Sequence, residues 1–424
     1  MSGKNHLYLN KNIKMEFKEF YVEGLFDLYN HRIDFAKSKS SEKRASIIML
    51  YGKNGVGKTT VLRMIEGLMQ LDFTVFRQIS FKTAFLKFSN NHSVSVKSVK
   101  DNDDNLTYLE VEYNGMIVKL DPSKVGALNS EEIINQDKVR AQYKTDLKEF
   151  SFEFIDTERL MKRNLKNEEY KERVGKLAPR KELNTTLAEK VSNFITQSQV
   201  YSGRFFSNDE PELFEKILSS IESSDKINAE DLKKKILSLT QIERKFQFER
   251  LGIVQEKWDR GKLNDILELE NKKKNPSLHK LTVINSYLEV LESRYTQKQN
   301  LADRLLIFET ILNDFLIDKK VVISIEQGFE IKTIKNQKVY ENQLSTGEYH
   351  LLYLTVLALC TTVQGTVIAI DEPEMSMHIS WQNNLINALL KISSRANPQF
   401  IFATHSPDIA ANYFNSMQTE PDGN

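Results

Sequence analysis

Nine consecutive residues, Gly52-Lys53-Asn54-Gly55-Val56-Gly57-Lys58-Thr59-Thr60, carry the clearest chemistry in the chain. Glycines at Gly52, Gly55 and Gly57 let backbone N–H groups curl inward around phosphate oxygens. An apolar run, Ile47–Tyr51, precedes them and a helical pattern follows from Lys58 to about Met69, so a helix N-terminus points at the same place. Lys58 is expected to reach the β- and γ-phosphates of a nucleotide, and the Thr59 hydroxyl to ligate Mg²⁺. Asn54 and Thr60 complete the cradle.

A second apolar run, Thr366-Val367-Ile368-Ala369-Ile370, ends in Asp371 and Glu372. Paired carboxylates at a strand tip suit two tasks. Asp371 would hold the shell of a magnesium ion, and Glu372 would polarise the attacking water as general base. Strand ends are often acidic, so the pair gains meaning from the segments around it. Phe400–Ala403 is a third apolar run and ends in Thr404-His405-Ser406. Leu344-Ser345-Thr346-Gly347-Glu348 opens another helical pattern. Ser345 with Glu348 reads equally as a capping box, Ser/Thr at the cap and Glu three residues on.

Taken in order, these segments resemble the motif series of ABC ATPases. The first looks like Walker A, Leu344–Glu348 like the signature, Thr366–Pro373 like Walker B, and His405 like the switch histidine. The resemblance implies that Ser345 and the Gly347 amide contact the γ-phosphate of ATP held by a second copy of the chain, and that His405 senses that phosphate. Glu374-Met375-Ser376-Met377-His378 stands where the family has its D-loop, with His378 in place of the usual aspartate. The family's Q-loop glutamine has no clear counterpart. Glu158, in Phe154-Ile155-Asp156-Thr157-Glu158-Arg159-Leu160, is one candidate; Gln78 is the alternative, and a surface carboxylate beside Arg159 is the ordinary reading of Glu158. Phe26, Tyr29 and His31 could stack on adenine or simply pack.

The elements that must position these residues fall into three textures. Residues 1–160 read as an N-terminal lobe: the phosphate loop and its helix, then alternating runs at Phe81–Phe88, His92–Val99, Tyr108–Tyr113 and Gly115–Leu120, the pattern of an antiparallel sheet. Residues 161–316 are helical. From Ser277 the apolar series Leu278, Leu281, Ile284, Leu288, Leu291, Tyr295, Ala302, Leu305, Phe308, Leu312, Phe315 steps by three and four. A helix of about 40 residues would run about 60 Å. A packed helical subdomain and a projecting coiled-coil arm both fit it, the former better. Residues 317–424 return to α/β texture. The expected fold is therefore α/β: a P-loop core with an antiparallel β subdomain and a large helical insertion.

Composition bounds the partners. The 59 basic residues balance 58 acidic ones, so net charge argues neither for nor against nucleic acid. The lone Cys360 excludes an internal disulfide or a thiolate metal cluster and suits a reducing cytoplasm. No apolar run is long enough to cross a bilayer, and no signal peptide is evident. Basic groups at Lys162–Lys181, Lys233–Lys235 and Lys272–Lys274 would serve DNA, but interleaved Glu168, Glu169 and Glu172 fit a solvated helix face better.

The long insertion resembles the RecF, SMC and OLD branch and related bacterial anti-phage ATPases. About 19 residues follow His405, too few for the Toprim nuclease of OLD proteins. The resemblance thus implies an ATP-driven homodimer, or a higher oligomer, that controls a separate nuclease or toxin, as in two-component systems such as PARIS and Septu. A DNA-binding ATPase of recombination, repair or chromosome maintenance is the rival expectation, with nucleic acid as its partner.

Overall fold

The computed structural model describes residues 16–35, 46–101, 106–120, 130–147, 150–156, 186–207, 227–246, 250–251, 253, 259–274, 276–324, 327–394, 396–413, 416–418 and 422–423. Glu158 and the basic cluster Lys162–Lys181 lie outside them. The chain forms two compact units, one of residues 1–179 and 361–424, the other of residues 180–360, inserted between those two stretches.

The first unit carries two sheets. Strands β1 (Phe17–Leu25), β2 (Tyr29–Asp34), β4 (Thr83–Phe88), β5 (Ser93–Lys100), β6 (Leu106–Tyr113) and β7 (Met116–Leu120) form an antiparallel sheet, extended past β2 by the short β15 (Asp422–Gly423). Alternation explains it. Phe20, Val22, Ala84, Leu86, Val94, Val96, Leu109 and Val111 face the core while their neighbours are partly or fully exposed. The turn from β6 to β7 is Asn114-Gly115, both at positive φ (47° and 82°), the conformation a two-residue hairpin requires.

The second sheet has the order β14 (Met417–Gln418), β3 (Ile47–Tyr51), β13 (Gln399–Thr404), β12 (Val367–Asp371), β8 (Phe152–Asp156), all paired in parallel. Its central strands are buried on both faces, so they read as unbroken apolar runs. Burying each such side chain contributes roughly 1.5–3 kcal/mol. Helix α1 (Lys58–Gln70) packs on this sheet through Val61, Leu62, Ile65 and Leu68. Helix α2 (Ser130–Asp146) and strand β8 are additions to the sequence reading, because β8 is only five residues long and carries two acidic residues.

The second unit holds helices α3 (Leu187–Ser207), α4 (Ala229–Lys245), α5 (Arg260–Asn271), α6 (Leu278–Phe315) and α7 (Thr346–Cys360), with a sheet of β9 (Lys319–Ser324), β10 (Gly328–Thr333) and β11 (Lys338–Val339). The apolar series read from Leu281 to Phe315 lies buried along α6, which packs on α3, α4, α7 and β9. Charged groups inside this unit are partnered. Glu243 bonds Arg260 and Tyr295, and Glu270 accepts from Lys273 at 2.7 Å and the Ser277 amide at 2.9 Å. The basic run Lys233–Lys235 is likewise paired, to Glu268 (3.6 Å), Asp231 (3.1 Å) and Glu289 (3.7 Å).

β10 can approach α3 closely only because of Gly328. Its φ is +78°, and an added Cβ would lie 1.9 Å from the Ala188 carbonyl oxygen. Gly328→Ala is expected to destabilise this unit by about 2–5 kcal/mol, the sum of backbone strain and overpacking. Thermal melting checks it; an unchanged midpoint would contradict the close approach.

Candidate nucleotide site

Strands β3, β12 and β13 end level with one another. Asp371 pairs with Ala403 on one side and Asp156 on the other, and Thr404 pairs with Tyr51. Whatever follows each strand therefore emerges at one edge: the glycine loop after β3, Glu372 after β12, His405 after β13.

The glycine loop wraps around its own lysine. Lys58 is buried, and its ammonium donates to the Gly52 carbonyl (2.8 Å) and the Lys53 carbonyl (3.0 Å). Gly57 caps α1 at φ 91°, and Gly55 sits at φ 88°, so both glycines are needed for conformation. Gly57 is needed for space as well. A Cβ there would meet Leu25 Cδ2 at 2.7 Å and Phe26 Cε2 at 3.3 Å. Asn54 is exposed at the loop's tip, and Thr59 and Thr60 are half-buried in the first turn of α1.

The β1–β2 turn supports the loop from the other side. His31 bonds the Val56 carbonyl oxygen through Nε2 at 2.8 Å. A carbonyl can only accept, so Nε2 carries the proton. Burial lowers the His31 pKa, which favours the neutral ring, while the bond to Val56 opposes that shift. Of the three aromatic candidates, His31 is thus committed to the loop. Phe26 is more than a third exposed beside Gly57, and Tyr29 packs against the core.

Asp371 accepts a hydrogen bond from the Thr59 hydroxyl. Burial pushes its carboxyl upward, and neighbouring Asp156 adds to that, against the pull of the Thr59 bond. Two oxygen donors, one a desolvated carboxylate, are the chemistry a magnesium ion takes. The residues present therefore fit the ion: Thr59 and Asp371 would hold it. Arg63, on α1, bonds Asp156 at 2.8 Å and offsets part of the local negative charge.

Glu372 leaves the strand at φ 51°, in the left-handed region, with its amide bonded to the Ala403 carbonyl at 2.8 Å. Its carboxylate bonds His405 Nδ1. Burial and the nearby Glu374 carboxylate push the Glu372 pKa up to about 7, and His405 pulls the other way. Glu372, Glu374 and His405 bring their polar atoms within 4.8 Å of one another. Glu374 was not singled out at this centre from sequence. His378 caps helix α8 (Ile379–Ile392), its ring accepting from the Ser380 amide at 3.3 Å.

Ser345 and Gly347 belong to the other compact unit. The capping box is formed. The Ser345 amide and hydroxyl each donate to Glu348 at 2.9 Å, and the Glu348 amide returns a bond to the Ser345 hydroxyl at 3.3 Å. Although burial raises the Glu348 pKa, bonds from Lys319 and Ser345 outweigh it and hold the carboxylate below its usual range. Ser345 itself remains exposed, and Gly347 is buried in the first turn of α7. Gln78 is exposed beyond a short 3₁₀ turn, Val75–Arg77.

Residues 15–410 match the family described as AAA ATPase domain. The chain belongs to that family. It is an ATPase. Among solved structures, this ATPase is similar to the Smc head domain with an extended coiled coil bound to the C-terminal domain of ScpA, from Pyrococcus furiosus. The identity is 13%, with 94% of this chain and 92% of that one covered and a TM-score of 0.42. The SMC head domain from Thermotoga maritima gives 10% identity, 93% and 91% coverage and a TM-score of 0.35. Likenesses at this level carry no functional weight. No curated protein matches this ATPase. Among the described residues, no helix is long and apolar enough to cross a membrane.

Gly57→Ala should deform the loop, since both φ and the Leu25 contact resist a side chain. Nucleotide affinity is expected to fall at least about tenfold, a cost of about 1.4 kcal/mol. Titration with a fluorescent ATP analogue checks it, and wild-type affinity would contradict the fit.

Proposed function

We propose that this ATPase closes around MgATP as a homodimer and uses hydrolysis as a switch for a separate effector protein in anti-phage defence. The observation that carries the hydrolytic reading is the level ending of β3, β12 and β13, which sets Lys58, Thr59, Asp371, Glu372 and His405 at one edge. Lys58 leaves its loop carbonyls for the β- and γ-phosphates. A magnesium ion between Thr59 and Asp371 would neutralise charge on the phosphate oxygens. Glu372 takes the proton of the attacking water, and His405, bonded to that carboxylate, orients it and contacts the γ-phosphate.

The dimer reading rests on the signature-like segment. Ser345 is exposed at a helix N-terminus, and its amide and hydroxyl, which donate to Glu348, would turn to a phosphate when one arrives. It lies in a compact unit separate from the phosphate loop. The effector role follows from the resemblance to the anti-phage branch. Of the basic groups, Lys233–Lys235 are paired to carboxylates, which does not favour the DNA reading for them.

Two variants separate the roles. Lys58→Ala is expected to abolish ATP binding. Glu372→Gln should keep binding but lower turnover about 10²-fold or more, accumulating an ATP-dependent dimer seen by light scattering. Used as bait from its own genomic neighbourhood, that trapped variant should retain a neighbour-encoded nuclease or toxin. Turnover by Glu372→Gln at the wild-type rate would refute the hydrolytic assignment. Recovery of nucleic acid alone, with salt-sensitive binding, would replace the effector reading with the DNA one.

A further inference from the structure

We propose that Glu374 is a positioning residue: it clamps the main chain of residues 404–406 and so holds the His405 imidazole against Glu372. The proposal rests on Glu372 and His405 forming the hydrolytic pair.

Glu374 follows Asp371 by three residues and is 6% exposed. A single oxygen, Oε1, accepts from three consecutive residues of the other strand's end: the Thr404 hydroxyl, the His405 amide at 3.3 Å and the Ser406 amide at 3.1 Å. Burying a carboxylate is unfavourable unless donors meet it; three donors meet Oε1, while Oε2 is buried without one. The same stretch is tied a second time. The Ser406 hydroxyl donates to Gln382 Oε1 at 3.0 Å, and Gln382 Nε2 donates to the Met377 carbonyl at 3.0 Å. The turn after β12, the start of α8 and the end of β13 thus form one hydrogen-bonded ring.

The ring matters because packing does not hold His405. Its side chain is 56% exposed, so packing constrains its rotamer only weakly. Its direction depends on where the main chain places it and on the bond to Glu372. The Glu374 Oε1 atom also lies 3.6 Å from His405 Nδ1. A small or apolar side chain at 374 would release the 405 amide, leave the 406 amide only its bond to the Thr404 hydroxyl at 2.9 Å, and let the imidazole swing while the phosphate loop, on another strand, stays in place.

The test compares steady-state kinetics of the purified full chain with Glu374→Ala, Glu374→Gln, Thr404→Val and His405→Ala. Glu374→Ala is expected to lower kcat about 10²-fold with KM for ATP within about twofold, the pattern of a misplaced group. Glu374→Gln, which keeps an acceptor oxygen, should recover to within about tenfold of wild type. If Glu374→Ala does not fold, Thr404→Val, which removes one of the three donors, should still lower kcat several-fold with KM unchanged. Wild-type kcat in Glu374→Ala or Thr404→Val, beside a crippled His405→Ala, would overturn the clamp alone. Parallel loss of kcat, KM and melting temperature without recovery in Glu374→Gln would also overturn it, leaving a merely structural role. Wild-type turnover in His405→Ala would remove the hydrolytic pair and the clamp with it.

Discussion

In-register pairing at the carboxyl ends of β3, β13 and β12 is the constraint on which everything else rests. Leu50 sits opposite Ala403, and Ala403 opposite Asp371. A slip of one residue in either pair would turn every side chain of that strand to the other face and move its terminal group by about 3.3 Å. The strands resist slipping because both faces are buried and filled by Ile48, Met49, Ile368, Ile370, Ile401 and Phe402. The core thus serves the site directly: it sets where each strand ends, and so where the glycine loop, Glu372 and His405 that follow the strands emerge.

Polar contacts then refine what the register makes coarse. Lys58 is held by loop carbonyls, Thr59 by Asp371, His405 by Glu372, and the main chain around His405 by Glu374. Each joins a segment following one strand to one following another or closes a loop on itself. Left-handed backbones at Gly55, Gly57 and Glu372 flank the same edge. Gly57 meets that conformation without cost. Glu372 does not, and its amide bond to the Ala403 carbonyl holds it there. Strain stored at a carboxylate read as the general base is consistent with a group placed for function rather than for folding.

Much of this was legible in the sequence where one physical signal dominated. Unbroken apolar runs marked β3, β12 and β13 to within a residue or so, and spacing by three and four marked α6. The Ser345–Glu348 capping box was visible as a spacing, and it formed. A cap and a phosphate contact call for the same residues, so neither pattern nor geometry separates those two roles. What sequence missed depends on long-range pairing. β8 is too short and too acidic to announce itself until β12 supplies its partner. Glu374 stood at the head of the segment likened to the D-loop; only the fold brings it to residues 404–406, some 30 positions away. His31 looked like one of three aromatic candidates, and its bond to Val56 emerges only when the β1–β2 turn meets the glycine loop.

The central claim is that ATP is hydrolysed between two copies, with the phosphate loop of one chain facing the Ser345 segment of the other. Mixing two inactive variants tests it most directly. Lys58→Ala lacks a working phosphate loop and Ser345→Arg lacks a working signature segment, so each alone should be inactive. If the site is shared, the mixed dimer joins the intact loop of one chain to the intact signature of the other. ATPase activity should then reappear on mixing, at about a quarter of the wild-type rate for random exchange of independent sites. If each chain hydrolyses ATP by itself, the mixture stays as inactive as its parts, and the account of a shared site is wrong.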